Sequence, residues 1–115
     1  MTNNPAQYKP YLDVLFSDAE AVIQELSKKN GEFTNYQFIR RASQLHQGAY
    51  VALLHEVLTH RGEDYLFNLA HQAMGNQLRN VALKLGYEID KDTGVKESNI
   101  FGDLEEVVMY RVSTD

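Results

Sequence analysis

Residues 34–58 read TNYQFIRRASQLHQGAYVALLHEVL. Phe38, Ile39, Ala42, Leu45, Ala49, Tyr50, Leu53, Leu54, Val57 and Leu58 recur there at steps of three and four. That is the spacing of a helix face turned toward a core. Thr34 and Gln37 have the spacing of a capping box, which marks the entry point. Gly48 interrupts the pattern at a cost of about 1 kcal/mol relative to alanine. The stretch is therefore either one long helix over about 35–60 or two helices that break near Gln47-Gly48. The apolar phase passes Gly48 without a slip, which favours continuity. Gly62 is the stop, and Arg61 sits well for the negative helix end.

Upstream, Pro5 and Pro10 stand among polar residues, so residues 1–10 are expected to form a flexible arm. Tyr11, Leu12, Val14, Leu15 and Phe16 form a short apolar turn. Ser17 and Glu20 make a second possible capping box. Ala19, Val22, Ile23 and Leu26 follow it at helical spacing. Asn30-Gly31 ends that helix, which the pattern places at about 18–29.

Downstream, Asp64 can cap a helix over about 65–85 that Gly86 ends. Leu66, Phe67, Ala70, Ala73, Met74, Leu78, Val81 and Leu85 mark its buried side. The period then changes. Tyr87 and Ile89 alternate with acids, and residues 107–112 are rich in β-branched and aromatic side chains. Between them runs a polar connection from Asp90 to Glu106, with Gly94 and Gly102 as turn residues and Ile100 and Phe101 expected to tuck back on the body. The expected fold is mainly α (α+β). Three or four helices precede a C-terminal two-stranded antiparallel β-ribbon. All of it lies in one domain over 1–115, with a helical body at 17–86 and the ribbon at 87–112.

With 43% hydrophobic residues in 115, the chain can build one core. It has no cysteine, which excludes disulfides, thiolate metal sites and cysteine nucleophiles. No apolar run reaches the roughly 18 residues of a membrane span. The first residues lack a basic start followed by an apolar segment. The expected location is the cytoplasm. The formal charge of −5 is uneven. Residues 1–27 carry −3, residues 28–84 carry +3 and residues 85–115 carry −5. An acidic chain argues against avid non-specific nucleic-acid binding but leaves room for a local basic face.

The four histidines do not form a metal motif. HEVLTH at 55–60 separates His55 from His60 by five residues, so on a helix the two rings diverge by about 140°. The run DKDTG at 90–94 lacks the later ligands of a calcium loop. Phosphate-binding, dinucleotide-binding and nucleophile-elbow motifs are missing. Glu105 and Glu106 have nothing converging on them. Nothing calls for a catalytic residue, a cofactor or a small-molecule substrate.

The helix over 65–85 is more informative. No acid occurs from Tyr65 to Tyr87. At 100° per residue, Asn68, Gln72, Asn76 and Arg79 fall within about 80° of arc. Asn and Gln can read adenine through paired donor and acceptor, and Arg can read guanine. An acid-free stripe of this kind suits a helix in the major groove, where carboxylates would repel phosphate. The same pattern also fits an ordinary polar helix face.

A helix, a short segment at Glu32-Phe33, a further helix, an amide-rich helix and then strand–loop–strand resembles the winged helix-turn-helix DNA-binding domains over about residues 18–112. The resemblance implies that helix 65–85 enters the major groove. Asn68, Gln72, Asn76 and Arg79 would then read bases, and Arg40, Arg41 and Lys84 would contact phosphate. The ribbon loop is net acidic, with Lys91 and Lys96 against Asp90, Asp92, Glu97 and Asp103, and is not expected to hold phosphate.

Two functions fit. One is a small DNA-binding protein, a transcriptional regulator that meets double-stranded DNA as a homodimer. The other is a non-enzymatic adaptor that docks a protein partner through its acidic ribbon or a long-helix face.

Overall fold

The computed structural model of the chain describes residues 5–90, 96–98 and 104–112, with the side chains of 96–98 and 104–106 excepted. Five α-helices and a small antiparallel sheet share one core. A short 3-10 turn, Ala6–Tyr8, leads into α1, Lys9–Leu15. Tyr8, Leu12 and Leu15 are buried, so the segment expected to be a loose arm is docked from there on. Residues 1–4 lie outside the described residues.

Helix α2 spans Ala19–Ser27 and has no side-chain cap. The expected Ser17–Glu20 box does not form. Ser17 Oγ instead donates to the Val14 carbonyl at 2.7 Å, closing α1 rather than opening α2. Strand β1, Glu32–Thr34, follows. The Thr34–Gln37 box does form. Gln37 N–H donates to Thr34 Oγ1 at 3.1 Å, and Thr34 N–H donates to Gln37 Oε1 at 2.9 Å. It fixes the start of α3, Asn35–Leu45, which buries Phe38, Ile39 and Ala42.

The central stretch is two helices, not one. His46 leaves the helical region at φ −130° and ψ 59°, and α4 runs from Gln47 to Arg61. The single joint still satisfies both ends, because His46 N–H donates to the Ala42 carbonyl and Tyr50 N–H donates to the His46 carbonyl, each at 3.0 Å. The pattern missed the break because α4 offers apolar residues to both core and solvent. Leu53 and Val57 are buried, while Val51 and Leu58 are 62% and 42% exposed. Such a helix has no single stripe whose slip would betray a change of direction.

Gly62, at φ +79°, stops α4, and its N–H closes the last turn on the Leu58 carbonyl. Helix α5 spans Leu66–Lys84. Asp64 does not cap it. The residue before the first turn is Tyr65, in the left-handed region at φ +60° with no side-chain cap. A left-handed bulky residue is uncommon and strained.

The sheet has three strands rather than two. β2, Tyr87–Asp90, and β5, Met109–Val112, pair antiparallel, and β1 pairs antiparallel with the other side of β5. The order is β1-β5-β2. A three-residue β1 is too short to show a period of two, which is why the sequence suggested only a segment there. A second ladder joins β3, Lys96–Ser98, to β4, Leu104–Glu106, inside the connection expected to be the long loop of the ribbon. The expected tucking of Ile100 and Phe101 falls outside the described residues, as does the 91–94 part of the DKDTG run. One sheet face is core, where Phe33 stacks on Tyr110 at 5.2 Å and meets Tyr87 edge-on at 5.4 Å. Asn35 ties the start of α3 to the approach of β5. Its N–H donates to the Val108 carbonyl at 3.0 Å, and Val108 N–H donates to Asn35 Oδ1 at 3.1 Å.

Candidate nucleic-acid interface

Helix α5 is held by its small side. Ala70, Ala73, Met74, Leu78 and Ala82 are buried, and the three alanines let neighbouring helices approach closely. It packs on α2, α3, α4 and β2. The opposite side is open. Asn68, Gln72 and Arg79 are exposed, and Asn76 is half-buried with interactions of its own. Lys84 is exposed at the last turn. The ridge also holds two residues that the polar pattern passed over. Gly75 lies within about 60° of Gln72 on the helical wheel, and Leu83 lies within about 20°. A Cβ built on Gly75 would meet nothing within 4 Å, and Leu83 is 47% exposed. Their signal was present in the same angular arithmetic, had apolar residues and glycine been allowed on an exposed face.

Arg79 stands beside β5. Burial pushes the Tyr110 hydroxyl up from its ordinary value, and the nearby Arg79 guanidinium pulls it the other way. Arg40 is exposed on α3 and Arg41 half-buried. Arg40, Arg41, Arg79 and Lys84 form no ion pair with a described residue. No hydrogen bond or ion pair joins Arg40 or Arg41 to the described residues of the α5 ridge.

The solvent face of the sheet has the opposite character. Glu32, Arg111 and Glu88 lie in one row across β1, β5 and β2. Arg111 pairs with Asp90 at 3.0 Å and reaches Glu32 at 3.8 Å. One cation among three carboxylates leaves this face net acidic and unsuited to phosphate.

The histidines are dispersed. His60 pairs with Glu56 at 2.8 Å, His71 shares a 2.8 Å hydrogen bond with Tyr50, and His55 is exposed. His46 lies against Asp18 Oδ2 at 3.1 Å and Ser17 Oγ at 3.4 Å. These are the residue types of a hydrolytic triad, but both partners meet the same nitrogen, Nε2. A triad needs the carboxylate on one ring nitrogen and the hydroxyl on the other. The α3–α4 corner brings the three together from 28 and 29 positions apart, so no local pattern announced them. Among the described residues no group of three or more His, Asp or Glu could hold a metal ion, and no helix is long and apolar enough to cross a membrane.

The outward side of α4 is a second exposed surface. Gly48, Val51, His55 and Leu58 line it, and none of these carries a formal charge at neutral pH with His neutral. The one acid of the helix, Glu56, is turned aside to His60 and to the Tyr11 hydroxyl at 3.4 Å.

No family model matches the chain, and no curated protein or solved structure matches it.

Proposed function

We propose that the chain is a winged-helix-like DNA-binding protein, a transcriptional regulator acting in the cytoplasm, whose α5 lies in the major groove. One observation carries the reading: Asn68, Gln72 and Arg79 share an open, carboxylate-free ridge. Asn76 contributes from its half-buried place on the same arc. Amide and guanidinium groups on such a ridge can form paired hydrogen bonds with base edges. The element order supports the reading, since the amide-rich helix runs directly into an antiparallel strand pair. In this role Arg40, Arg41 and Lys84 contact phosphate.

An adaptor that docks a protein partner is the second reading, and the uncharged face of α4 favours it. Salt separates the two. Retention on mixed-sequence duplex DNA should fall log-linearly with salt, whereas docking through an apolar face should not. Wild-type protein that fails to bind duplex fragments even at low salt overturns the DNA reading.

A further inference from the structure

We propose that α4 pairs with α4 of a second copy of this chain, antiparallel, about a two-fold axis level with Leu53. The outward ridge Gly48, Val51, His55 and Leu58 is spaced three, four and three residues apart, a pattern symmetric about residue 53. A two-fold interface sets one patch on its own copy, residue i meeting j while j meets i. In this arrangement Gly48 meets Leu58 of the second copy and Val51 meets His55. Small faces large at both ends, as close helix packing requires.

Three observations choose a second copy as the occupant. The chain carries a net −5, so two copies meeting at arbitrary faces repel one another on balance. The ridge bears no Asp, Glu, Lys or Arg, and can meet itself without like charges in contact. Arg61, eight residues from the axis, falls level with the α3–α4 corner of the second copy, where Asp18 lies against His46. In the proposed pair a cation and a carboxylate therefore lie at the same level at both ends. Gly48 adds a further observation. A Cβ there would meet nothing within 4 Å, so no described residue requires glycine in this helix. A helix passing close to that position does require it. Val51 and Leu58, among the more exposed apolar side chains of the chain, are then covered.

A 15-residue helix is about 22 Å long. Two such helices bury less than the roughly 800 Å² per partner of a standard interface, which places the pairing among the weak, reversible ones.

Sedimentation velocity of the full chain over a concentration series, without DNA, tests the pairing. The wild type is expected to pass from monomer to dimer. Val51→Glu and Gly48→Leu should each raise the dissociation constant at least about tenfold. The double variant Gly48→Leu with Leu58→Gly exchanges large and small and should recover the dimer. Gly48→Ala, melted at a concentration where the wild type is monomeric, should match or exceed the wild-type Tm, which shows that this position is free in the monomer. A wild type that stays monomeric overturns the proposal and leaves the face to a different protein. A dimer untouched by both single variants also overturns it, since another face then holds the copies. The measurement contains no nucleic acid, so its failure is distinct from failure of DNA binding.

Discussion

Tyr50 Oη and His71 Nε2 lie 2.8 Å apart, and their rings stack with centroids 5.9 Å apart and 20° between planes. The pair fastens α4 to α5 one residue before Gln72, on the exposed ridge. Tyr50→Phe keeps the stack and deletes the hydrogen bond. It should cost about 0.5–1.5 kcal/mol of unfolding free energy. Urea denaturation with an unchanged m-value checks this, and an unaltered midpoint would show that the bond adds no net stability.

Alkaline pH should destabilise the fold through the same residue. Burial raises the pKa of both Tyr50 and Tyr110, although Arg79 offsets part of the rise at Tyr110. Below about pH 10 these phenols are neutral in folded and unfolded chains, and stability is complete. Above it the unfolded chain releases protons that the folded one retains, so stability falls as pH rises. Thermal melts from pH 8 to 11 should show the loss, and Tyr50→Phe should shallow its slope.

Arg79→Ala and Arg40→Ala should fail differently on DNA. Removing a base-reading Arg79 should cost about 1–3 kcal/mol and relax preference at one base pair. Removing a phosphate-contacting Arg40 should weaken all sequences alike and reduce the salt slope by about one. Binding isotherms on a randomised duplex pool at two salt concentrations separate them.

Thr34→Ala should remove about 1 kcal/mol, because it opens the capping box and leaves the Gln37 N–H without its acceptor. Chemical denaturation checks this. Thr34→Ser, which keeps the hydroxyl, should recover most of the loss.

Gly75→Ala should stabilise the protein by about 0.5–1 kcal/mol, since the helix gains propensity and the new methyl meets nothing. Differential scanning calorimetry should show a higher Tm. A fall would mean that the ridge is covered.

The legible parts of this fold were those written in adjacent residues. Thr34 with Gln37, Gly62 and Gly86 each act locally, and each does in the structure what its spacing implied. The small-and-apolar side of α5 was legible because one helix repeats its own period. What escaped depends on distant partners. Ser17 turned back to Val14 because α1 ends there, and Tyr65 rather than Asp64 precedes α5. The break at His46 was hidden by a helix that offers apolar groups to both core and solvent. The third strand was hidden because Glu32–Thr34 becomes a strand only when β5, more than seventy residues later, lies beside it. The openness of Asn68, Gln72 and Arg79 followed from period alone, whereas the half-cover over Asn76 needed coordinates.

The middle strand of the three-stranded sheet is the last of the described elements in the chain, and β1 and β2 share no ladder without it. During synthesis the helical part can therefore collapse early, while residues 32–34 and 87–90 become a sheet only once residues 109–112 emerge from the ribosome and pair with both. A chain cut short before Met109 would leave residues 32–34 and 87–90 without their common partner, their backbone groups open to pairing with another chain, which is a route to aggregation.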